Sequence, residues 1–263
     1  MRKKIKKILN KRFIRPITCL TAYSSSVAKI LDGNVDLILI GDSLGSTLYG
    51  MNNTQGVTLD MMKSHGLSVI KNVRESITII DMPNKTYNDK KQALKNARTL
   101  LKYTKAKMLK LEINKKNVQI IKYLSDKGYN TIAHIGVTPQ KFVDFKKIKI
   151  AGKTNYEKKN LIKLALDAEN AGAKCILLEC VSKSTAKEIT SSVSVPTIGI
   201  GSSKFCDGQV LVFDDLINID NSSKKPKFVK TYINFGTLAV KAVKNFSKDV
   251  KKGSFPSKKY SYQ

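Results

Sequence analysis

Leu37-Ile38-Leu39-Ile40-Gly41-Asp42-Ser43 decides how this chain folds. Four consecutive aliphatic residues present no polar face, so they suit a strand covered on both sides, as in parallel sheets. The run then stops at a glycine and a carboxylate. The same arrangement recurs downstream: residues 77–80 run into Asp81, Met108-Leu109-Lys110-Leu111 ends at Glu112, and residues 175–178 end at Glu179. A fifth run, Thr131-Ile132-Ala133, ends at His134. Strand ends that share one rim of a sheet are where α/β proteins gather metal-binding and proton-transfer groups.

Outward from these runs, strand-sized and helix-sized segments alternate. Strands are expected at 17–21, 37–40, 77–80, 108–111, 130–133, 175–178, 197–200 and 210–213. Helices are expected at 24–31, from Leu59 onward with Thr58 as N-cap, at 89–103, at 116–127 stopped by Gly128, at 156–171, at 184–191 and at 227–250. A Gly- and Asn-rich loop covers 45–56, and a longer loop covers 136–154. Eight strands spaced by helices read as an α/β protein, a closed (β/α)8 TIM barrel. An open doubly wound sheet is the alternative. No break in composition marks a second domain, so residues 1–263 read as one barrel domain with a basic N-terminal extension at 1–15. That extension lacks the apolar core of a secretory signal and reads as a short helix over one end of the domain.

The formal charge is +28, from 48 basic and 20 acidic residues. Such a charge raises the question of a polyanion partner. Its composition argues against nucleic acid: only five of the basic residues are arginine, there is no Trp, and the lysines are spread over nearly every expected helix. No apolar stretch approaches the ~20 residues that span a bilayer, which argues against a membrane partner. The four cysteines form no CxxC pair and sit mostly in apolar runs, as small reduced hydrophobes do. The cytoplasm is the expected location.

In a closed barrel Asp42, Asp81, Glu112, His134 and Glu179 come from neighbouring strands and face one mouth. Each alone has a plainer reading. Asp42 and Asp81 suit turns, Glu112 and Glu179 suit strand ends, and His134 suits a hydrogen-bonded structural histidine. Their shared position points further. Several carboxylates at one mouth require a cation or shifted pKa values, and oxygen-only ligands suit Mg²⁺ first. Strand alternation puts Lys110 on the same inward face as Glu112, with Leu109 and Leu111 outward. Lys110 can hold a substrate carboxylate or, if its pKa falls, form a Schiff base. Gly199-Ile200-Gly201 serves equally as an anion-binding or a tight turn.

Nine ordered segments then carry a resemblance. They are residues 18–23 (TCLTAY), 40–45 (IGDSLG), 57–62 (VTLDMM), 81–83 (DMP), 110–112 (KLE), 134–140 (HIGVTPQ), 178–181 (LECV), 196–201 (PTIGIG) and 206–212 (CDGQVLV). Through them the chain resembles the ketopantoate hydroxymethyltransferase family over nearly its whole length. Departures at Asn84, Ile113-Asn114, Ala133 and Ser202-Ser203 remove none of the charged groups.

The resemblance implies a (β/α)8 barrel that joins the methylene of 5,10-methylenetetrahydrofolate to 3-methyl-2-oxobutanoate, giving 2-dehydropantoate for pantothenate biosynthesis. It implies one Mg²⁺ per subunit, with Asp42, Asp81 and Glu112 at the metal and Glu112 acting through water. It implies that Ser43 and Lys110, with Asp42 and Asp81, hold the 2-keto acid. Glu179 would accept the C3 proton, leaving an enolate whose charge Mg²⁺ offsets. Burial at the end of an apolar strand would suit Glu179 to that task. His134 would stand behind the metal site. The partners implied are the keto acid, the folate and further copies of the chain, in the family commonly a decamer.

Overall fold

The computed structural model describes residues 10, 14–142, 149–223 and 225–262. Most of the basic extension at 1–15 lies outside the described residues. Eight parallel strands close into a barrel in sequential order. They are β1 (Ile17–Thr21), β2 (Leu37–Ile40), β3 (Ile77–Asp81), β4 (Met108–Glu112), β5 (Thr131–Gly136), β6 (Cys175–Glu179), β7 (Thr197–Ile200) and β8 (Gly208–Leu211). The helices in the barrel unit are α1 (Ser25–Leu31), α2 (Leu44–Thr47), α3 (Leu59–Ile70), α4 (Lys90–Thr104), α5 (Val118–Asp126), α6 (Asn155–Asn170) and α7 (Lys183–Ser192). The closed barrel replaces the open-sheet alternative. Among the described residues no helix is long and apolar enough to cross a membrane.

Local chemistry starts the helices where the sequence places them. Ser24, Thr58 and Asp89 accept hydrogen bonds from the backbone amides of Val27, Met61 and Gln92. Thr154 and Glu157 form a reciprocal capping box at the start of α6. Each such cap contributes about 1 kcal/mol.

Strand alternation fills the barrel in two layers. Ile17, Cys19, Leu37, Leu39, Ile77, Ile79, Met108, Ile132, Cys175, Leu177, Ile198 and Val210 form one apolar cluster inside it. Burying each of the larger side chains contributes roughly 1.5–3 kcal/mol. The next inward positions are Asp81, Lys110, Glu112 and His134, all buried. The dry plug thus forms the floor of a polar mouth.

Of the boundaries that differ from the sequence expectation, three change the picture of an element. β5 continues past His134 to Gly136, so His134 lies within a strand instead of at its end. Its partner β6 supports the extension through the pairing of Gly136 with Glu179. β8 ends at Leu211, and Phe213 opens a short helix, α8 (Phe213–Ile217), with Asp214 and Asp215 in its first turn, which favours a helix start. The last helix, α9 (Phe235–Lys251), begins eight residues later than the expected 227. Before it, Tyr232 donates its amide to the Leu216 carbonyl, and Asn218 and Asn221 take left-handed backbone conformations, so this stretch is a turn structure and not a helix. The chain groups into two compact units, the barrel unit ending at Val212 and a C-terminal unit beginning at Phe213. Within the C-terminal unit Phe246, Phe255 and Tyr260 stack in sequence.

Candidate active site

The C-terminal ends of β2 to β6 bring together every residue singled out in the sequence. Register does much of this. Asp81 pairs with Lys110 across β3 and β4, and Glu112 pairs with His134 across β4 and β5. Paired inward residues stand side by side, and Lys110 Nζ lies 2.8 Å from Asp81 Oδ1 as a contact ion pair. The other Asp81 oxygen, Oδ2, accepts the backbone amide of Asp42 at 3.0 Å. A Cβ at Gly41 would meet Ser43 Oγ at 2.9 Å, so glycine leaves that hydroxyl free to stand where it does. Ser43 Oγ and the Tyr23 hydroxyl are 2.7 Å apart.

His134 sits between two acids. Its Nε2 is 3.2 Å from Glu179 Oε2 and its Nδ1 is 3.8 Å from Glu112 Oε1, with neither ring nitrogen aligned for a hydrogen bond. Glu179 belongs one layer above His134, level with Gly136. Gly136 has φ +95°, and a Cβ there would run into the Glu179 carbonyl, so only glycine lets the two strand ends approach. The Glu179 side chain is 19% exposed, against 2% for Glu112, so it meets the open mouth.

The electrostatics follow from crowding acids in a dry place. Burial first, and then the charge of Asp81, push the Asp42 carboxyl up to about 7. Burial and Asp42 push Glu112 well above the ordinary carboxylate range. Burial works against the charge on Lys110, but Asp81, Asp42 and Glu112 outweigh it and hold its pKa above the usual lysine value. The contact ion pair with Asp81 and the raised pKa both favour a cation at Lys110 over the free amine that a Schiff base needs. Burial and then Lys110 lower the pKa of His134, leaving a neutral imidazole with a single N–H.

Among the described residues no three His, Cys, Asp or Glu side chains are placed to hold a metal ion by themselves. Two carboxylates with additional oxygens from substrate and water remain a sound site for a hard cation, since Mg²⁺ keeps several non-protein ligands. The donor set fits. It is all oxygen and crowded with acids; Asp81 Oδ1 faces the Lys110 ammonium, while both His134 nitrogens lack an aligned hydrogen-bonding partner. A buried polar atom without one costs about 1–3 kcal/mol, so the two nitrogens are poised for a ligand.

The sequence reasoning missed Gln140, Tyr87 and Tyr23. Gln140 lies on a short 3-10 turn, Pro139–Lys141, after β5. Its side-chain amide reaches Asp42 Oδ2 at 2.7 Å and the Met82 carbonyl at 3.0 Å. A cavity of about 190 Å³ opens beside Glu112 and Gln140 and is also lined by Tyr87 and Lys141. Gln140 and Tyr23 both fall in segments that carry the resemblance, which was the available signal. None of the four cysteines, all among the described residues, is in a disulfide, and three of them are buried. Burial raises the Cys19 and Cys206 thiols, as expected of inert core residues.

Comparison with known proteins agrees with this geometry. A family model described as ketopantoate hydroxymethyltransferase matches residues 2–258. The 3-methyl-2-oxobutanoate hydroxymethyltransferase of Pelagibacter ubique (strain HTCC1062) is 46% identical over 262 residues, covering 100% of both chains. The enzyme of the same name from Helicobacter pylori (strain Shi470) is 41% identical over 247 residues, covering 94% of this chain and 91% of its own. Among solved structures, 2,3-dimethylmalate lyase, a PEP mutase/isocitrate lyase superfamily member, superposes with TM-score 0.62 at 12% identity, covering 98% of this chain and 88% of that one. Phosphonopyruvate hydrolase in complex with oxalate and Mg²⁺ superposes with TM-score 0.59 at 15% identity, covering 98% and 92%. At such identities these two share the fold alone.

Proposed function

The chain belongs to the ketopantoate hydroxymethyltransferase family, and from that premise we propose how its own residues carry out the transfer. The enzyme is a hydroxymethyltransferase of pantothenate biosynthesis. In our reading the acceptor is 3-methyl-2-oxobutanoate and the donor is 5,10-methylenetetrahydrofolate. The observation that carries this reading is the meeting of Asp42, Asp81, Lys110, Glu112, His134 and Glu179 at one rim, with Lys110 paired to Asp81 and His134 set between Glu112 and Glu179.

Asp42 and Asp81 would hold a divalent cation, with Glu112 reaching it through water. When bound, that cation supplies positive charge to the oxygen that becomes anionic as C3 loses its proton. Ser43, its hydroxyl 2.7 Å from that of Tyr23, offers a hydrogen bond to the substrate carboxylate, and Lys110 supplies fixed positive charge nearby. Glu179, open to the mouth, takes the C3 proton. His134 stands 3.2 Å behind it, and its one N–H, not aligned on Glu179 here, would turn onto that carboxylate once the keto acid fills the mouth. The C3 carbanion then forms a bond to the folate-borne carbon as one carbon–nitrogen bond to it breaks; water replaces the second nitrogen as the hydroxyl, and tetrahydrofolate leaves with the C3 proton and one proton of that water on its two nitrogens. That phosphonopyruvate hydrolase, of the same fold, was solved with oxalate and Mg²⁺ supports a barrel of this fold as a host for a divalent cation.

Deuterium exchange at C3 of 3-methyl-2-oxobutanoate, measured with Mg²⁺ and without folate, isolates the proton-transfer step. Glu179→Gln is expected to slow it roughly 10²–10⁴-fold while the protein melts as before. Exchange at the wild-type rate would remove Glu179 as the base.

A further inference from the structure

We propose that Gln140 is a positioning residue that fixes Asp42 and Glu112 relative to one another, with Tyr87 locking its amide. This deepens the reading above and rests on Asp42 and Glu112 belonging to a cation site. Gln140 is buried, and each of its polar groups is engaged. Its backbone N–H faces both Glu112 oxygens at 3.2 Å. Its side-chain Nε2 gives one proton to Asp42 Oδ2 at 2.7 Å and the other to the Met82 carbonyl at 3.0 Å. Its Oε1 accepts from the Tyr87 hydroxyl at 2.5 Å, and its backbone carbonyl accepts from Gln55 Nε2 at 3.1 Å.

These partners leave the amide one orientation. The Met82 carbonyl can only accept, so the nitrogen must face it, and the oxygen must then face Tyr87. Tyr87 is a dependable donor because burial and the nearby Glu112 and Asp42 charges keep its phenol protonated. A residue that merely filled space here would be apolar. This one spends two N–H groups on an acid and a carbonyl, and a third on a second acid. By taking Asp42 Oδ2 it leaves Oδ1 as the oxygen that faces a ligand. It also ties the loop after β5 to the ends of β2 and β4, and it lines the adjoining cavity beside Glu112.

The probe is Mn²⁺ alone, its affinity read by electron paramagnetic resonance without substrate, beside melting of the cation-free protein. Gln140→Leu keeps the approximate volume and removes the side-chain hydrogen bonds. It is expected to weaken Mn²⁺ binding ~10–100-fold, the usual consequence of losing a group that orients a ligand. Tyr87→Phe removes one oxygen atom, leaves the fold intact, and is expected to give a smaller loss in the same direction. The double variant should bind no worse than Gln140→Leu, because Tyr87 acts through Gln140. Asp42→Asn serves as the reference. If it loses Mn²⁺ and both Gln140→Leu and Tyr87→Phe bind like wild type, the positioning role is wrong and the cation site stands. If the losses at 87 and 140 add, Tyr87 is no lock. If Asp42→Asn binds like wild type, the cation reading fails and the proposal with it.

Discussion

At the N-terminal rim of the barrel, Asp36 accepts the Thr18 amide and hydroxyl at 3.0 and 3.1 Å and pairs with Arg15 at 3.2 Å. Asp207 accepts the Thr197 amide at 2.8 Å, and Asp32 accepts the amides of Arg74, Glu75 and Ser76. At the C-terminal rim Asp42 and Glu112 share few donors, crowd Asp81 and hold their protons to abnormally high pH. One residue type thus serves two purposes. Below, each carboxylate is surrounded by N–H groups and stitches a loop to a strand. Above, carboxylates face one another in a dry mouth, where a proton or a cation has to offset each charge. Barrels divide stability and chemistry between their ends in this way.

The sharpest attempt to break that division is Lys110→Met. Lys110 belongs to the active rim but compensates the buried acids, so its loss is expected to destabilise the protein by about 3–5 kcal/mol in urea unfolding. A change below ~1 kcal/mol would mean that the upper rim carries no structural burden. Next in size is Asp36→Ala. Losing charged hydrogen bonds at the lower rim should cost roughly 2–3 kcal/mol while C3 exchange per folded molecule stays at the wild-type rate. Slower exchange at unchanged stability would show the two rims to be coupled.

The smallest effect concerns Asp32. Burial would raise its carboxyl, but the amides of Ser76, Arg74 and Glu75 prevail and hold it below the ordinary value. The unfolded chain therefore takes up this proton first as pH falls. The stabilisation is complete above the unfolded value of about 3.9 and is lost as pH drops through the lower folded value. Asp32→Asn should melt slightly below wild type at pH 7 and converge with it near pH 2; a constant offset across that range would exclude the ionised carboxylate as the cause.

The strands were legible because apolar runs such as 37–40 have one sensible environment, and the acids were legible because each follows such a run. Lys110 and Glu112 could be assigned to one face from alternation alone, and both are indeed buried there. Gln140 could not be read in this way. Its role depends on a turn that folds back over β2 and β4, contacts far away in sequence that no local pattern encodes. The last helix was misplaced for a related reason: residues 227–234 are compatible with a helix, but the turn structure before Phe235, with Tyr232 bonded to Leu216, takes precedence.

Closure of the barrel also has a kinetic side. The first strand must find the last, and the ladder beside that junction is short: β7 and β8 pair only Ile198 with Gly208 and Gly199 with Gln209, whereas β5 and β6 pair from Ile132–Cys175 through Gly136–Glu179. Joining distant segments carries the largest loop-closure entropy, so this seam zips last and frays first. Of the strands that bear the acids, β3, β4 and β5 lie across the ring from it, and β2 and β6 adjoin its flanks. Amide hydrogen exchange should therefore begin at β8 while the acids stay in register, letting the barrel breathe without unsettling its chemistry.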